Sequence, residues 1–426
     1  MNLPELPDGW AYLPLKRLAD VRSSSVDKHT LPDEETVGLC NYLDVYRNDR
    51  ITATLNFMEA SATPKERSRF ALKAGDVLLT KDSEDPMDIG VPAYVAEDLP
   101  DVLCGYHLAL LRPRDGVDGS YLQKALLSTT VREQFYSRAQ GVTRFGLGLN
   151  EIGGSRVPLP PPAQQRSIAR FLDRRTAAVD VLIAKKERQI ELLREKRQAL
   201  ITQAVTRGLD ETVPTKDSGI AWLDELPVHW KVVRGRYVFR EIALAPEPID
   251  GVVTAFRDGE VTLRENRRSE GFMVAEKEAG YQHVRRGDLV VHSMDAFAGA
   301  IGVSDSDGKC TPEYVVLEPK FGGIMNEYYA LLLRVMAKRS YILVICPSVR
   351  ERAPRFRFAT FKDIWLPVPP PEEQARIVTF CGRVTSAAEE LIGRNVMLVS
   401  RLREYRQALI CAAVTGKIDI ATDGAV

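Results

Sequence analysis

Two stretches of this chain place apolar residues at the alternating three- and four-residue steps that let one helix pack along another. In the second stretch the stripe is Val384, Ala388, Leu391, Asn395, Leu398, Leu402, Tyr405 and Leu409. The same frame in the first gives Val179, Leu182, Lys186, Gln189, Leu193, Lys196 and Leu200, with Ile183 and Ile190 beside it, so that stripe is polar in its middle. Neither glycine nor proline interrupts Ala163 to Arg207. A helix of about 40 residues is roughly 60 Å long, and its apolar stripe needs a partner. Because both stretches carry a similar stripe, the economical solution is that they pack on each other within one chain.

Both predicted helices are punctuated alike. Pro160 to Pro162 and Pro369 to Pro371 favour a stiff, extended entry, and proline is tolerated in a first helical turn because its missing N–H has no helical partner there. Glu372 and Glu373 suit the positive end of the helix dipole. Gly208 and Gly416 follow the last periodic residues, where a left-handed cap is cheapest for glycine.

The likeness is a duplication. With an offset of 209 residues, 23 of the 50 positions from 157 to 206 are identical to their counterparts, against roughly three expected by chance at average residue usage. The strongest block comes last, where Arg194 to Ile201 matches Arg403 to Ile410. Two similar helices that merely supported unrelated cores would leave the shared proline-rich entry and this distal identity unexplained.

Removing the helices leaves two segments of nearly equal length. Each opens on a similar phrase, Leu6-Pro-Asp-Gly-Trp10 and Leu226-Pro-Val-His-Trp230. Each has a turn-then-strand signal, at Ala74 to Leu79 and Arg286 to Val291, and each later runs from a cysteine through an apolar strand to a proline, Cys104 to Pro113 and Cys310 to Pro319. Short β-branched runs followed by helical stretches at Tyr121 to Arg138 and Tyr328 to Arg339 read as mixed α+β domains. The expected division is therefore residues 1–156 and 208–365 as two domains, 157–207 and 366–419 as the helical regions, and 420–426 as a tail.

Composition narrows the class. With 426 residues, 45% hydrophobic and 27% charged, the chain is too long for one ordinary core and has the balance of a soluble protein. No secretory signal or membrane span is visible, and six scattered cysteines without C-x-x-C spacing read as reduced thiols, which points to the cytoplasm. Lysine plus arginine (58) equals aspartate plus glutamate (58), so any attraction to phosphate must come from local patches or from a partner.

Together these landmarks resemble the specificity subunits of type I restriction-modification systems. Pro-x-Pro-Pro-Pro-x-x-Gln at each helix entry, the linker Lys216 to Trp222, and Gly287 to Gly302 carry the resemblance, which covers nearly the whole chain. It implies two α+β target-recognition domains separated by two long antiparallel coiled-coil helices, related by a pseudo-twofold repeat. It further implies a bipartite, asymmetric double-stranded DNA site and assembly with two adenine-methylating subunits and ATP-driven motor-nuclease subunits. S-adenosylmethionine, ATP and Mg2+ would then belong to the partners, with no cofactor or metal on this chain.

The richest candidate DNA patch is Arg350, Arg352, Arg355 and Arg357, interleaved with Phe356 and Phe358, because arginine can fork onto guanine edges or hold phosphate. Its counterpart in the first domain holds Arg138 and Arg144. Arg264, Arg267 and Arg268 form a further cluster, and Lys81 and His292 follow the paired Gly-Asp strands. A catalytic reading, as a fused nuclease or methyltransferase, finds no Walker A loop, no G-x-G-x-x-G and no adenine-methylation motif. Asp295 with Asp307 and Lys309 only faintly suggests a nuclease triad, and Asp82, Glu84, Asp85 and Asp88 read better as a solvated loop than as a cation site. A coiled-coil scaffold that does not read DNA is the other alternative, with neutral net charge as its support.

Overall fold

The structure is a computed structural model that describes residues 3–267, 279–346, 355–418 and 420. Arg268, Arg350 and Arg352 therefore lie outside the described residues. Two compact units emerge, Met1–Glu187 with Val396–Val426, and Arg188–Asn395. The long helices Pro162–Arg207 and Pro371–Val414 are each divided near the middle, so neither helix belongs to a single unit.

In the first unit a five-stranded sheet runs in the order Ala19–Ser23, Leu108–Pro113, Val77–Thr80, Pro92–Val95, Arg50–Ile51. A second sheet of four strands is ordered Met58–Ala62, Glu35–Cys40, Leu99–Cys104, Ala71–Leu72. The unbroken apolar run Val77-Leu-Leu is explained by burial on both faces. Val77 and Leu79 point into a core with Tyr121, Leu122 and Phe135, while Leu78 points into a second core with Val37, Leu39 and Leu103. The strand's two-residue period thus glues two layers together.

The helical stretch predicted from Tyr121 to Arg138 is two helices, Gly119–Leu127 and Thr129–Tyr136, broken at Ser128. The Ser128 hydroxyl donates back to the Ala125 carbonyl at 2.6 Å, and its backbone turns extended, so a local bond displaces the helical one. Gly119 starts this pair because a Cβ there would stand 1.9 Å from the Gly75 carbonyl oxygen.

In the second unit the main sheet is ordered Phe239–Ile242, Tyr314–Pro319, Leu289–His292, Ile301–Val303. Its central strand repeats the two-sided logic: Leu289 and Val291 join the large core with Tyr328, Leu332 and Phe361, and Val290 joins a smaller one with Val253 and Val284. All six cysteines are free, and burial pushes the Cys310 thiol up to about 12, so it stays protonated at neutral pH.

Each domain is tied to its helix by the same local device. Strand Ala11–Pro14 pairs antiparallel with Arg156–Leu159, and Lys231–Arg234 pairs antiparallel with Trp365–Val368. The prolines that follow lead into the helix, where a glutamine is fully buried in each copy. Gln165 donates to the carbonyls of Pro160 (2.9 Å) and Gly116 (3.1 Å) and accepts from the Asp118 N–H (2.8 Å). Gln374 donates to Pro369 (2.9 Å) and Gly323 (3.2 Å) and accepts from the Met325 N–H (2.9 Å). Tyrosines complete the match, Tyr121 donating to the Pro158 carbonyl and Tyr329 to that of Pro367.

The domain entrances and helix ends also meet in each unit. The Trp10 indole donates to Gln164 at 2.9 Å, and a Cβ on Gly416 would strike Pro7 and approach Trp10. In the second unit Trp230 donates to Glu373 at 3.0 Å, and Gly208 faces Glu373 and Trp230. Both glycines take the expected left-handed backbone, with φ of +77° at Gly208 and +71° at Gly416.

The helix stripe differs from the expected frame by one position at alternate steps. Leu182, Leu391 and Leu398 lie exposed, at 45%, 45% and 37%, and so does Tyr405. The inward positions are held by Ile183, Ile190, Ile392 and Val399 instead, while Val179, Leu193, Leu200, Val384 and Leu402 are half-buried and Leu409 is buried. A three-four frame and a four-three frame share every second residue, and the anchored first turn decides between them. Ile168, Ala169 and Leu172 are fixed in the first domain's core, and alternate steps of four and three from Leu172 reach Thr176, Val179, Ile183, Lys186, Ile190 and Leu193. Ion pairs flank the stripe: Asp180 with Arg406 (2.8 Å) and Glu187 with Arg403 (2.7 Å) in the first unit, and Arg197 with Glu389 (3.3 Å) in the second.

Replacing Gln374 with alanine leaves an N–H and two carbonyls facing a hole, and should cost the second unit about 2–3 kcal/mol. Tryptophan fluorescence during urea unfolding reads this directly, since Trp222, Trp230 and Trp365 all lie in that unit. An unchanged midpoint would show that the buried amide is not a structural clamp.

Candidate nucleic-acid interface

The two domains close their outer ends in the same way. In the second, strand Leu289–His292 runs out to Ser293, whose N–H donates to the Glu313 carbonyl at 2.8 Å. The segment ahead of the last strand then docks on Ser293, the Phe356 N–H donating to its carbonyl at 2.9 Å. In the first domain the Lys81 N–H donates to the His107 carbonyl (3.2 Å), and the Leu147 N–H to the Lys81 carbonyl (2.8 Å). Ser293 thus corresponds to Lys81, Glu313 to His107 and Phe356 to Leu147.

Docking in the second domain sets out the arginines. Phe356 is buried, its ring edge-on to Phe361 at 6.2 Å, so the residues on either side of it face outward. Arg355 and Arg357 are 44% and 57% exposed, and both approach one oxygen of Glu313, at 3.0 and 4.0 Å. The other Glu313 oxygen accepts from the buried Ser293 hydroxyl at 3.1 Å. Beside them Arg257 pairs with Asp295 at 3.0 Å, and His292 lies 3.5 Å from the same carboxylate with its ring 4.6 Å from Tyr314. Burial pushes the His292 imidazole down against the pull of Asp295 and Glu313, so it is neutral at pH 7 and supplies no charge to a phosphate. Three guanidiniums, Arg257, Arg355 and Arg357, therefore face two carboxylates, Asp295 and Glu313.

The first domain builds the corresponding rim from different residues. A loop from Gln140 to Gly146 is closed by a reciprocal pair of backbone bonds at 3.0 and 2.8 Å. Arg144, near its tip, reaches His107 at 3.2 Å and lies 3.9 Å from Asp82. His107 Nδ1 stands 2.6 Å from Asp82 Oδ2, a separation that places a donated proton between them. The exposed Tyr106 ring lies 3.7 Å from the His107 ring, and the Lys81 ammonium donates to Ser23 at 2.9 Å.

Of the residues selected from sequence, Lys81 and Arg144 meet at the first rim, and His292, Arg355 and Arg357 at the second. Arg138 does not join them, because its guanidinium donates to Ser155 (3.0 Å) and to the Glu151 carbonyl (3.3 Å), bracing the turn before the last strand. Arg264 and Arg267 sit on or beside the neighbouring hairpin Val253–Ala255 and Val261–Leu263. Arg264 donates to Thr254, while Arg267 pairs with Asp258 and Glu260 and lies over the Phe256 ring at 4.1 Å. It is Arg257, in that hairpin's turn, that reaches the rim. Three of the acids considered for metal work are engaged by the protein: Asp85 accepts from the Met87 N–H, Asp88 from the Tyr46 hydroxyl and Asp307 from the Arg286 N–H.

Glu313, His107 and Arg257 escaped sequence reasoning. Their signal was available in part, since His107 and Glu313 occupy the same place between the paired cysteine and proline landmarks. Charge alone did not mark them, because one is a carboxylate and the other an imidazole.

The fold and rims define a class first: a mixed α/β protein with two long helices, in which each unit presents an arginine-bearing outer loop. Residues 277–394 match the family described as type I restriction modification DNA specificity domain. The chain is 21% identical over 441 residues to the EcoKI specificity subunit of Escherichia coli K12, covering 98% of this chain and 91% of that one. It is 25% identical to the putative MjaX specificity subunit of Methanocaldococcus jannaschii over 252 residues, which span 58% of this chain but only 57% of that protein. The HsdS subunit from Thermoanaerobacter tengcongensis shares the fold, with a TM-score of 0.54 at 17% identity over 97% of this chain and 99% of that one. The domain match and the near-full-length relative make this chain similar to specificity subunits of type I restriction enzymes, and the HsdS subunit shares its fold. Among the described residues no helix is long and apolar enough to cross a membrane.

The rim of the first domain depends on Gly141, whose φ is +144° and whose added Cβ would lie 2.0 Å from the Arg144 carbonyl oxygen. Gly141→Ala should therefore open the loop, with a strain of about 1–3 kcal/mol relieved by breaking its closure. Amide exchange at Gln140 and Gly146 should accelerate by tenfold or more, and unchanged protection at both would rule out this account of the loop.

Proposed function

We propose that this chain is the non-catalytic DNA-reading subunit of a type I restriction-modification assembly, in which each domain binds one half of a bipartite, asymmetric duplex site. The observation that carries this reading is the doubled rim: one backbone closure presents Arg355 and Arg357 in one domain and Arg144 in the other. A shared scaffold holds the geometry while unlike side chains set unlike base preferences, and arginine forks are the commonest reader of guanine edges.

In this reading the helices form an antiparallel coiled coil that spaces the half-sites, and the duplicated chain imitates a twofold dimer. Support comes from within each unit. As one partner's number rises from Asp180 to Glu187, the other's falls from Arg406 to Arg403, and Arg197 with Glu389 continues the trend. Exposed apolar side chains at Leu391, Leu398 and Tyr405 of the second helix suit a protein partner. Two methyltransferase subunits and motor-nuclease subunits are the partners proposed, with S-adenosylmethionine, ATP and Mg2+ bound on them.

The test pairs single variants with duplexes substituted through each half-site, the site being read from modified adenines in the native genome. Arg355→Ala should relax discrimination in one half only, by about 1–3 kcal/mol, and Arg144→Ala in the other. Binding should weaken steeply with salt for random duplex as well. A salt slope near zero, with and without a methylating partner, would sink the reading in favour of a protein scaffold, and equal weakening on all sequences would make these arginines phosphate anchors.

A further inference from the structure

A carboxylate in the middle of an arginine pair is a puzzle for a surface meant to meet DNA. If Arg355 and Arg357 only held phosphate, Glu313 would subtract from their attraction and add nothing. As a stabilising ion pair it counts for little, because Glu313, Arg355 and Arg357 are all substantially solvent-exposed. Its own fixation is much better than its exposure suggests. The Glu313 backbone carbonyl accepts from the Ser293 N–H, its Oε2 accepts from the Ser293 hydroxyl, and Ser293 is buried. The free oxygen is thereby aimed at both guanidiniums, and the same Ser293 carbonyl holds the Phe356 N–H between the two arginines. One buried serine thus sets the positions of the carboxylate and of the segment it restrains.

The first domain reaches the same end by other means. Asp82 orients His107 at 2.6 Å, and Arg144 is held against that pair at 3.2 and 3.9 Å. The histidine stands where Glu313 stands in the second domain, but its Nδ1 proton is turned to Asp82, so the charge that restrains Arg144 is the Asp82 carboxylate itself, 3.9 Å away.

Resting on the recognition reading above, we propose that Glu313 and Asp82 are positioning residues for base selection: each holds the reading arginine in one orientation before DNA arrives. An arginine restrained in advance gives up less freedom on binding and tolerates fewer wrong base edges. The price is weaker generic attraction to the backbone, and that trade separates positioning from simple charge.

The full-length chain carrying Glu313→Ala, Glu313→Gln, Arg355→Ala or the Glu313→Ala/Arg355→Ala pair is titrated against the cognate duplex, its single-base variants and a random duplex. Glu313→Ala should lose about tenfold in discrimination at the base positions that Arg355→Ala also relaxes. Affinity for the random duplex should rise about threefold while Arg355→Ala lowers it, and the paired variant should discriminate no worse than Arg355→Ala alone. Glu313→Gln, which keeps an acceptor, should recover part of the discrimination, and Asp82→Asn should act on the opposite half-site only. Discrimination unchanged by Glu313→Ala would reduce the carboxylate to a surface ion pair and overturn the proposal. Relaxation at a position that Arg355→Ala leaves intact would overturn it too, by showing that Glu313 contacts the base itself. A wild-type chain without any sequence preference would instead sink the recognition reading on which this inference rests.

Discussion

One buried amide per copy carries the architecture. Gln165 and Gln374 each tie the proline-rich strand exit, the first turn of a long helix and a loop of the adjoining domain into one hydrogen-bonded knot. In an apolar surrounding such a group either makes all its bonds or destabilises the fold, so the angle at which a helix leaves its domain is fixed rather than hinged. The inward frame of the helix stripe follows from that fixed departure.

Around the knot the domains are free to differ. The central strands Val77–Thr80 and Leu289–His292 are buried on both faces and tolerate little change, and the residues just beyond them, Lys81 and Ser293, are where the outer loop docks. Backbone-to-backbone bonds dock the outer loop there in both copies, and such bonds do not depend on side-chain identity. That is how histidine can stand opposite glutamate, and a two-residue-paired hairpin opposite a phenylalanine plug, without loss of the common plan.

The long helices with their entries and glycine caps were legible because they rest on local chemistry: proline starts, apolar stripes and left-handed glycines. The helix stripe was legible only to within one step. Leu391 and Leu398 are as apolar as Ile392 and Val399, and the choice is made by a first turn locked into a domain core, which no periodicity count contains. Arg138 and Arg144 look alike in sequence, but one faces Ser155 and Glu151 and the other faces outward, a difference set by the loop closure between them. The restraining acids were hidden for a related reason: Asp82, in a short strand, and Glu313, in the turn ahead of one, reach arginines distant in the chain, so the pairing belongs to tertiary structure.

The first unit is discontinuous, and this orders events during synthesis. Its core gathers Leu15, Tyr121 and Leu172 together with Leu409, Ile410, Ala413 and Val414, whereas the second unit is drawn from one unbroken span. A ribosome delivers the first domain early, but Leu409, Ile410, Ala413 and Val414 arrive only with the last helix, after the whole span of the second unit has been made. Until then Ile168 and Leu172 lack those apolar partners, so the first unit's core closes only after the second unit's span has left the ribosome.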